Sequence, residues 1–422
     1  MGMRTGGMIL AIVGGVQAVA LTGCAARRPD LEGFSAERLR RLDSVFVQQV
    51  IARGATPGVV MLVARNGNVV KMSADGFLDA RKTRPMRTDA IFRLASMSKP
   101  LVSVAAMTLV ESGQIKLTDP IAKWIPEFKD MKVLVESTDS RGSVTRQTVP
   151  ASRPITVQDL LRHTSGLCYP DYAPTPELQA AYTKADLDGL DAELSPDEFI
   201  HRLSQIPLAW QPGSRWQYGT SIDVLGILIE RVTGQRLDRW LDAVMFKPLG
   251  MLHTGFQVRP EDLGRVAEPP DSNPNRVPKW ERRFADDPGM RYRSAGGGLV
   301  STAEDYFRFL QMLLNGGELN HVRILSRKTV QLMISDHIPG LDGPTLFAGP
   351  GYGFGLGFAV RRQDGVSPVP GSAGDFNWSG RYGTTFTVDP REKIIAIYMS
   401  QNPGRNDLRF LFKDLVYAAL TD

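Results

Sequence analysis

Gly58-Val59-Val60-Met61-Leu62-Val63-Ala64, followed by Asn66-Gly67 and then Val69-Val70, is the stretch on which the fold turns. An apolar run that stops at Asn-Gly and resumes with β-branched residues predicts two strands joined by a tight hairpin turn. Upstream, Ser35 opens an amphipathic helix in which Leu39, Leu42, Phe46 and Val50 recur at three- and four-residue spacing until Gly54 stops it. Near the other end of the chain, Phe354 to Val360, Gly383 to Val388 and Ile394 to Met399 predict three more strands, and a terminal helix follows around Leu408 to Leu420. Connections this short suit only antiparallel pairing. The expected sheet is therefore built from both ends of the chain.

Between the two strand groups lie roughly 250 residues, about one and a half domains by the usual size, in which helix signals dominate. Capping boxes stand at Ser195-Pro196-Asp197-Glu198 and at Ser301-Thr302-Ala303-Glu304, and Gly234 and Gly316 are placed as helix C-caps. Lys132 to Ile155 predicts a surface hairpin and Pro269 to Pro288 a loop. The fold class expected is α+β: an antiparallel sheet of N- and C-terminal strands flanked by helices, with an inserted all-helical lobe. In residue numbers, 35–95 with 345–422 form the mixed lobe and 96–344 the mainly helical one.

The first residues have a different purpose. Arg4 precedes an uncharged stretch from Gly6 to Gly23 that is too short and too rich in small residues for a comfortable bilayer span, so residues 1–23 are expected to be a removable signal peptide. Leu21-Thr22-Gly23-Cys24 resembles the bacterial lipoprotein lipobox. That resemblance implies lipidation at Cys24, a tether over 24–34, and an exported chain anchored in the cell envelope, with Ala25 pointing to the outer membrane facing the periplasm. Lipidation would leave Cys168, the other of two cysteines, without a disulfide partner.

Composition narrows the function. With 42% hydrophobic and 23% charged residues over 422 positions, the chain can bury a large core. Its 50 basic against 45 acidic residues leave a net charge of only +5, and no Lys/Arg run interleaved with aromatics forms a phosphate-binding stripe, so no nucleic-acid partner is expected. His163, His201, His253, His321 and His337 are scattered without metal-ligand spacing, and no metal or cofactor is expected. There is no Gly-x-Ser-x-Gly, and Gly296-Gly297-Gly298 lacks the lysine of a phosphate loop.

What remains is Arg93-Leu94-Ala95-Ser96-Met97-Ser98-Lys99. A three-residue helical step places the Ser96 hydroxyl and the Lys99 amine on one face, at a helix N-terminus where free N–H groups favour developing negative charge. Standing alone, the pair is equally an ordinary capped helix with a solvated lysine. A serine needs a base to become a nucleophile. Tyr218, in Trp216-Gln217-Tyr218-Gly219-Thr220 before an apolar helix, is the candidate, if Lys99 lowers its pKa; the other reading is a loop aromatic capping the core. Phe376-Asn377-Trp378-Ser379-Gly380-Arg381-Tyr382-Gly383 enters the strand near Thr384, and the Arg381 N–H is placed beside the Ser96 N–H as an oxyanion hole. Trp216, Tyr352, Phe354 and Phe376 are candidates for the groove wall, their direction open.

Taken in order, Ser96-Met97-Ser98-Lys99, Leu160 to Leu167 (Leu-Leu-Arg-His-Thr-Ser-Gly-Leu), Tyr218-Gly219-Thr220 and Trp378-Ser379-Gly380 resemble the serine β-lactamase-related hydrolases, on the class C β-lactamase-like side and within that the family VIII carboxylesterases. The resemblance covers about residues 36 to 420. It implies a groove between two lobes, an acyl-serine at Ser96, proton transfer shared by Lys99 and Tyr218, and release of the acid by water. His163 is then a packing residue. Where class C lactamases carry Lys or His at the third motif this chain has Trp378, an apolar wall suited to an uncharged ester. Thr220 replaces an Asn, and with Trp378, Gly380 and Arg381 makes up the implied substrate-binding set. The expected function is a serine carboxylesterase for short acyl esters with weak cephalosporin hydrolysis, the partner being a small ester or β-lactam. A β-lactamase or D-Ala-D-Ala peptidase, and a non-catalytic envelope binding protein of this fold, remain the alternatives, and the oligomeric state is open.

Overall fold

The computed structural model describes residues 1–2, 31–138, 140–187, 194–270, 292–343, 345–405 and 407–422. Most of the leader, Cys24 and most of the Pro269 to Pro288 segment lie outside the described residues. The hairpin is formed by β1 (Gly58–Arg65) and β2 (Asn68–Gly76). Five strands from the C-terminal part complete the sheet: β3 (Tyr352–Phe354), β4 (Ala359–Arg361), β5 (Phe376–Ser379), β6 (Thr385–Asp389) and β7 (Ile394–Ser400). The order is β2-β1-β7-β6-β5-β4-β3, with every pair antiparallel.

Alternation along β1 explains its continuous apolar run. Val59, Met61 and Val63 pack with Ile394, Ala396 and Tyr398 against helix α1 (Ala36–Val45) and the terminal helix α4 (Asp407–Ala418). Val60 and Leu62 join Ile395, Ile397 and Met399 in the larger core on the opposite face. A strand covered on both sides has no polar face to display. Two further helices position the site: α2 (Ser98–Glu111), buried on nearly all sides, and α3 (Ser221–Thr233). Predicted local signals reappear in the capping box of Ser195 and Glu198, the left-handed Gly234, and the hairpin of Lys132–Thr138 with Val144–Pro150.

Several boundaries differ. Phe354 to Val360 is two strands rather than one, because Gly357, at φ +100°, turns the chain where a Cβ would strike the Ser103 side chain of α2. The strand expected from Gly383 starts at Thr385, Gly383 itself (φ +90°) closing a turn. Phe376–Ser379 is a strand in its own right. At the second capping box the register slips by one: Thr302 caps and Asp305 N–H donates to its hydroxyl at 3.1 Å. The first helix, by contrast, runs as far as expected, its last six residues, Phe46–Ile51, being π-helical.

Candidate active site

Ser96 sits in a 3₁₀ turn, Ala95–Met97, leading into α2. Ala95 carries φ +46°, a strained conformation for a residue with a Cβ. The surroundings hold it there. Leu94 N–H donates to the Leu299 carbonyl (2.9 Å), Tyr306 OH to the Met97 carbonyl (2.9 Å), and Leu299 N–H to the Ser98 hydroxyl (3.0 Å). On the other side, a Cβ at Gly380 would overlap the Leu94 carbonyl oxygen and the Thr384 hydroxyl. Only a glycine lets the β5–β6 turn lie this close to the serine.

The structure brings Ser96, Lys99 and Tyr218 together. Tyr218 OH donates to Ser96 Oγ at 2.6 Å and Lys99 Nζ lies 3.2 Å from the same oxygen. Lys99 is 1% exposed, and Nζ also donates to the Gly296 carbonyl (2.7 Å) and the Tyr169 hydroxyl (3.2 Å). Burial pulls its pKa down to about 8, although the nearby Asp223 carboxylate favours the charged form. The expectation that Lys99 lowers the Tyr218 pKa is overturned. Burial pushes the phenol above its ordinary value, which outweighs the opposing Ser96 hydroxyl and Trp378 indole, the latter completing no hydrogen bond. The Lys99 nitrogen sits 4.8 Å from the Tyr218 ring centroid. The phenol is thus held protonated, and the amine is the group poised to titrate.

Other predicted residues divide. Trp378 packs on Tyr218 (centroids 5.6 Å apart) and on Phe354 (5.3 Å), buried in the wall as an apolar surface. The Ser96 and Arg381 N–H groups donate to no described residue. The Arg381 side chain is exposed. Thr220, placed among substrate contacts from sequence, is fully buried with an unpartnered hydroxyl, at the start of α3 where the chain turns inward. His163 is buried at φ +57°, its ring 5.1 Å from that of Tyr218 and 5.5 Å from Phe354, and its carbonyl accepts from Gln217 N–H. Burial first and Lys99 second depress its pKa well below the usual range. Trp216 and Phe354 line the aromatic wall; Tyr352 turns away to bond Asp375 (2.8 Å), and Phe376 packs on Phe358.

Sequence reasoning missed Tyr169, Asp223, Gly296, Tyr172 and Phe347. The last two extend the wall, Phe347 lying 4.7 Å and Tyr172 5.7 Å from the Tyr218 ring. Gly219 has a visible reason: its Cβ would strike the backbone of Leu167 and Cys168, so the Leu160 to Leu167 segment and Tyr218-Gly219-Thr220 interlock. Cys168 is buried and free, and burial pushes its thiol up to about 12. Among the described residues no cluster of His, Cys, Asp or Glu is set to hold a metal, and no helix is long and apolar enough to cross a membrane.

Residues 44–419 match the Beta-lactamase family. The chain belongs to that family. Within it, the chain is 33% identical over 402 residues to Esterase EstB of Burkholderia gladioli, covering 90% of this chain and 95% of that protein. It is 36% identical over 369 residues to an uncharacterised protein of Mycobacterium tuberculosis, covering 84% and 88% of the two chains. The solved structure of EstCE1, described as a hydrolase with promiscuous acyltransferase activity, superposes with a TM-score of 0.76 at 27% identity, covering 90% of this chain and 99% of the other. This Beta-lactamase family member is a serine hydrolase, and the serine β-lactamase-related esterases are the relatives it fits.

Proposed function

We propose that this Beta-lactamase family member is a carboxylesterase that hydrolyses short acyl esters through an acyl-Ser96 intermediate. The observation that carries the reading is the Ser96 hydroxyl held between the Tyr218 phenol and the Lys99 amine. Neutral Lys99 takes the Ser96 proton as Oγ attacks the ester carbonyl, and the Ser96 and Arg381 N–H groups receive the oxyanion. Tyr218 gives its phenolic proton to the departing alkoxide and recovers one from the Lys99 ammonium. Water then attacks the acyl-serine by the same steps in reverse. The Trp378, Phe347 and Tyr172 wall favours uncharged acyl groups. The groove lies between the lobe of 35–95 with 345–422 and the lobe of 96–344.

A second reading has its own observation. Arg409 is 8% exposed, with an unpartnered Nε, and its charge and that of Arg381 both act on Tyr172 at the aromatic wall. Two cations there suit a substrate carboxylate, which supports weak cephalosporin turnover beside esterolysis. p-Nitrophenyl butyrate and nitrocefin hydrolysis, measured on one preparation with Ser96→Ala as control, test both readings. Faster turnover of nitrocefin by orders of magnitude would overturn the esterase assignment, and full activity in Ser96→Ala would overturn the site.

We further propose that the chain acts in the bacterial envelope, lipidated on Cys24 after loss of residues 1–23, in the outer membrane facing the periplasm. Palmitate labelling that is unaffected by Cys24→Ser would refute this.

A further inference from the structure

Lys99 can serve as a base only if its one lone pair faces Ser96. A neutral primary amine has two N–H donors and one lone pair. Three oxygens surround Nζ: those of Gly296, Tyr169 and Ser96. The Gly296 carbonyl can only accept. The Tyr169 hydroxyl can do either, and its role depends on where its proton goes.

Asp223 decides that. Its Oδ2 accepts from Tyr169 OH at 3.2 Å, while Oδ1 accepts from Ser294 OH (2.8 Å), Gly296 N–H (3.0 Å) and Tyr292 OH (3.2 Å). The carboxylate is fully buried in the first turn of α3. With the Tyr169 proton committed to Asp223, the Tyr169 oxygen presents a lone pair to Lys99. Both amine hydrogens are then claimed, by Gly296 and Tyr169, and the nitrogen lone pair is left for the Ser96 proton. The same carboxylate fixes Gly296 through its N–H, and a Cβ at 296 would lie 2.8 Å from the Tyr169 oxygen and overlap Asp223.

We propose that Asp223 and Tyr169 are positioning residues that orient the Lys99 amine, Asp223 acting through the Tyr169 hydroxyl and the Gly296 peptide. This rests on the esterase reading above. The groups facing Lys99 are Ser96, Tyr169, Tyr218, Asp223, the Gly296 carbonyl and the neutral His163; those facing Asp223 are Tyr169, Tyr292, Ser294, Gly296 and Lys99. Burial keeps Tyr169 and Tyr292 protonated, so neither competes as a base.

The experiment compares Asp223→Asn, Tyr169→Phe and the double variant for p-nitrophenyl butyrate hydrolysis across pH, with folding checked by near-UV circular dichroism. An asparagine N–H turned to Tyr169 flips the phenolic proton onto Lys99 and spends the lone pair. Each single variant is expected to lose roughly 100-fold in kcat, as for a misplaced reacting group, with KM within about threefold. The double variant loses no more than the worse single one. Removing the Asp223 charge also moves the acid limb of the Asp223→Asn profile to lower pH, because that charge favours protonated Lys99. The limb shift reports the charge, and Tyr169→Phe, which keeps that charge, isolates orientation: it loses kcat with KM little changed, which a residue that only held the fold would not do. Losses that multiply in the double variant, a limb that stays, or near-native kcat in folded Asp223→Asn overturn the proposal. If Asp223→Asn fails to fold, Tyr169→Phe decides, since it leaves the other donors to Asp223 in place: full kcat in that variant overturns the proposal. Ser96→Ala separates the two levels. An active Ser96→Ala refutes the esterase site itself, whereas an inactive one beside near-native Asp223→Asn refutes only the positioning role.

Discussion

Gly380→Ala adds one carbon where the molecule has no room for it. The φ of Gly380 is not in the left-handed region, so alanine meets no backbone strain there. The obstacle is space alone, because the new Cβ would lie closer than 3.0 Å to the Leu94 carbonyl and the Thr384 hydroxyl. Leu94 immediately precedes the strained Ala95 and Ser96, and the hydroxyl of Thr384, the fully buried residue before β6, is itself held on the Leu94 carbonyl (3.3 Å), so neither neighbour has free space to move into. Restoring contact distance requires the β5–β6 turn to retreat by roughly 1 Å, a displacement of the order that costs about 100-fold in rate when it separates reacting groups. The Arg381 N–H rides on that turn, and loss of an oxyanion donor costs about 100- to 1,000-fold in kcat, or about 2.7–4 kcal/mol. Overpacking should cost stability only about 1–3 kcal/mol. The assay is kcat for p-nitrophenyl butyrate together with the urea midpoint, using Gly264→Ala, which meets nothing within 4 Å, as the control. Folded Gly380→Ala with kcat within about threefold of the parent would refute the account, because the turn would then not carry the oxyanion donor.

Three further outcomes follow from the same geometry. With Lys99 at about pKa 8, kcat/KM should rise with pH through an acid limb near 8 and be abolished in Lys99→Met; a limb set instead near the imidazole range would contradict an amine base. Asp159 is fully buried and held at about 2 by Arg153, Thr156 and Thr164 against the cost of burial. Its stabilisation is complete above the unfolded carboxylate value of 3.8 and is lost as pH falls toward about 2. Removing the carboxylate in Asp159→Ala takes the shared acceptor from Arg153, Arg162, Thr156 and Thr164 while the two partly exposed arginines keep their other hydrogen bonds, at an expected cost of about 1–3 kcal/mol by urea titration. Cys168, buried with its thiol pushed up to about 12, should resist iodoacetamide in the folded protein and label only on unfolding, read at the Cys168 peptide by mass spectrometry.

Much of this molecule is written in short-range pattern. The Asn66-Gly67 turn, the Ser195 capping box and the left-handed Gly234 each depend on a few adjacent residues, so their spacing alone announces them. Ser96 and Lys99 are three residues apart, and Tyr218, Trp378 and Gly380 were reached through motifs of three or four letters. Boundaries failed where a distant surface intervened, as at Gly357, whose turn follows from the side chain of Ser103 on α2. The full burial of Thr220 is of the same kind: its motif says where it lies in the chain and nothing of how deeply the start of α3 is packed.

The amino-acid order by itself determines that a sheet forms from both ends of the chain, that helices fill the middle, and that a hydroxyl and an amine share one helical turn. Only the tertiary structure decides which of the two groups beside Ser96, amine or phenol, is poised to titrate. That depends on burial, which lowers the amine and raises the phenol, and burial is a property of everything packed around them. Tyr169, Asp223 and Gly296 belong to the second kind of information. They come from separate segments, have no common spacing with Lys99, and meet around its buried nitrogen and one another only when the chain folds.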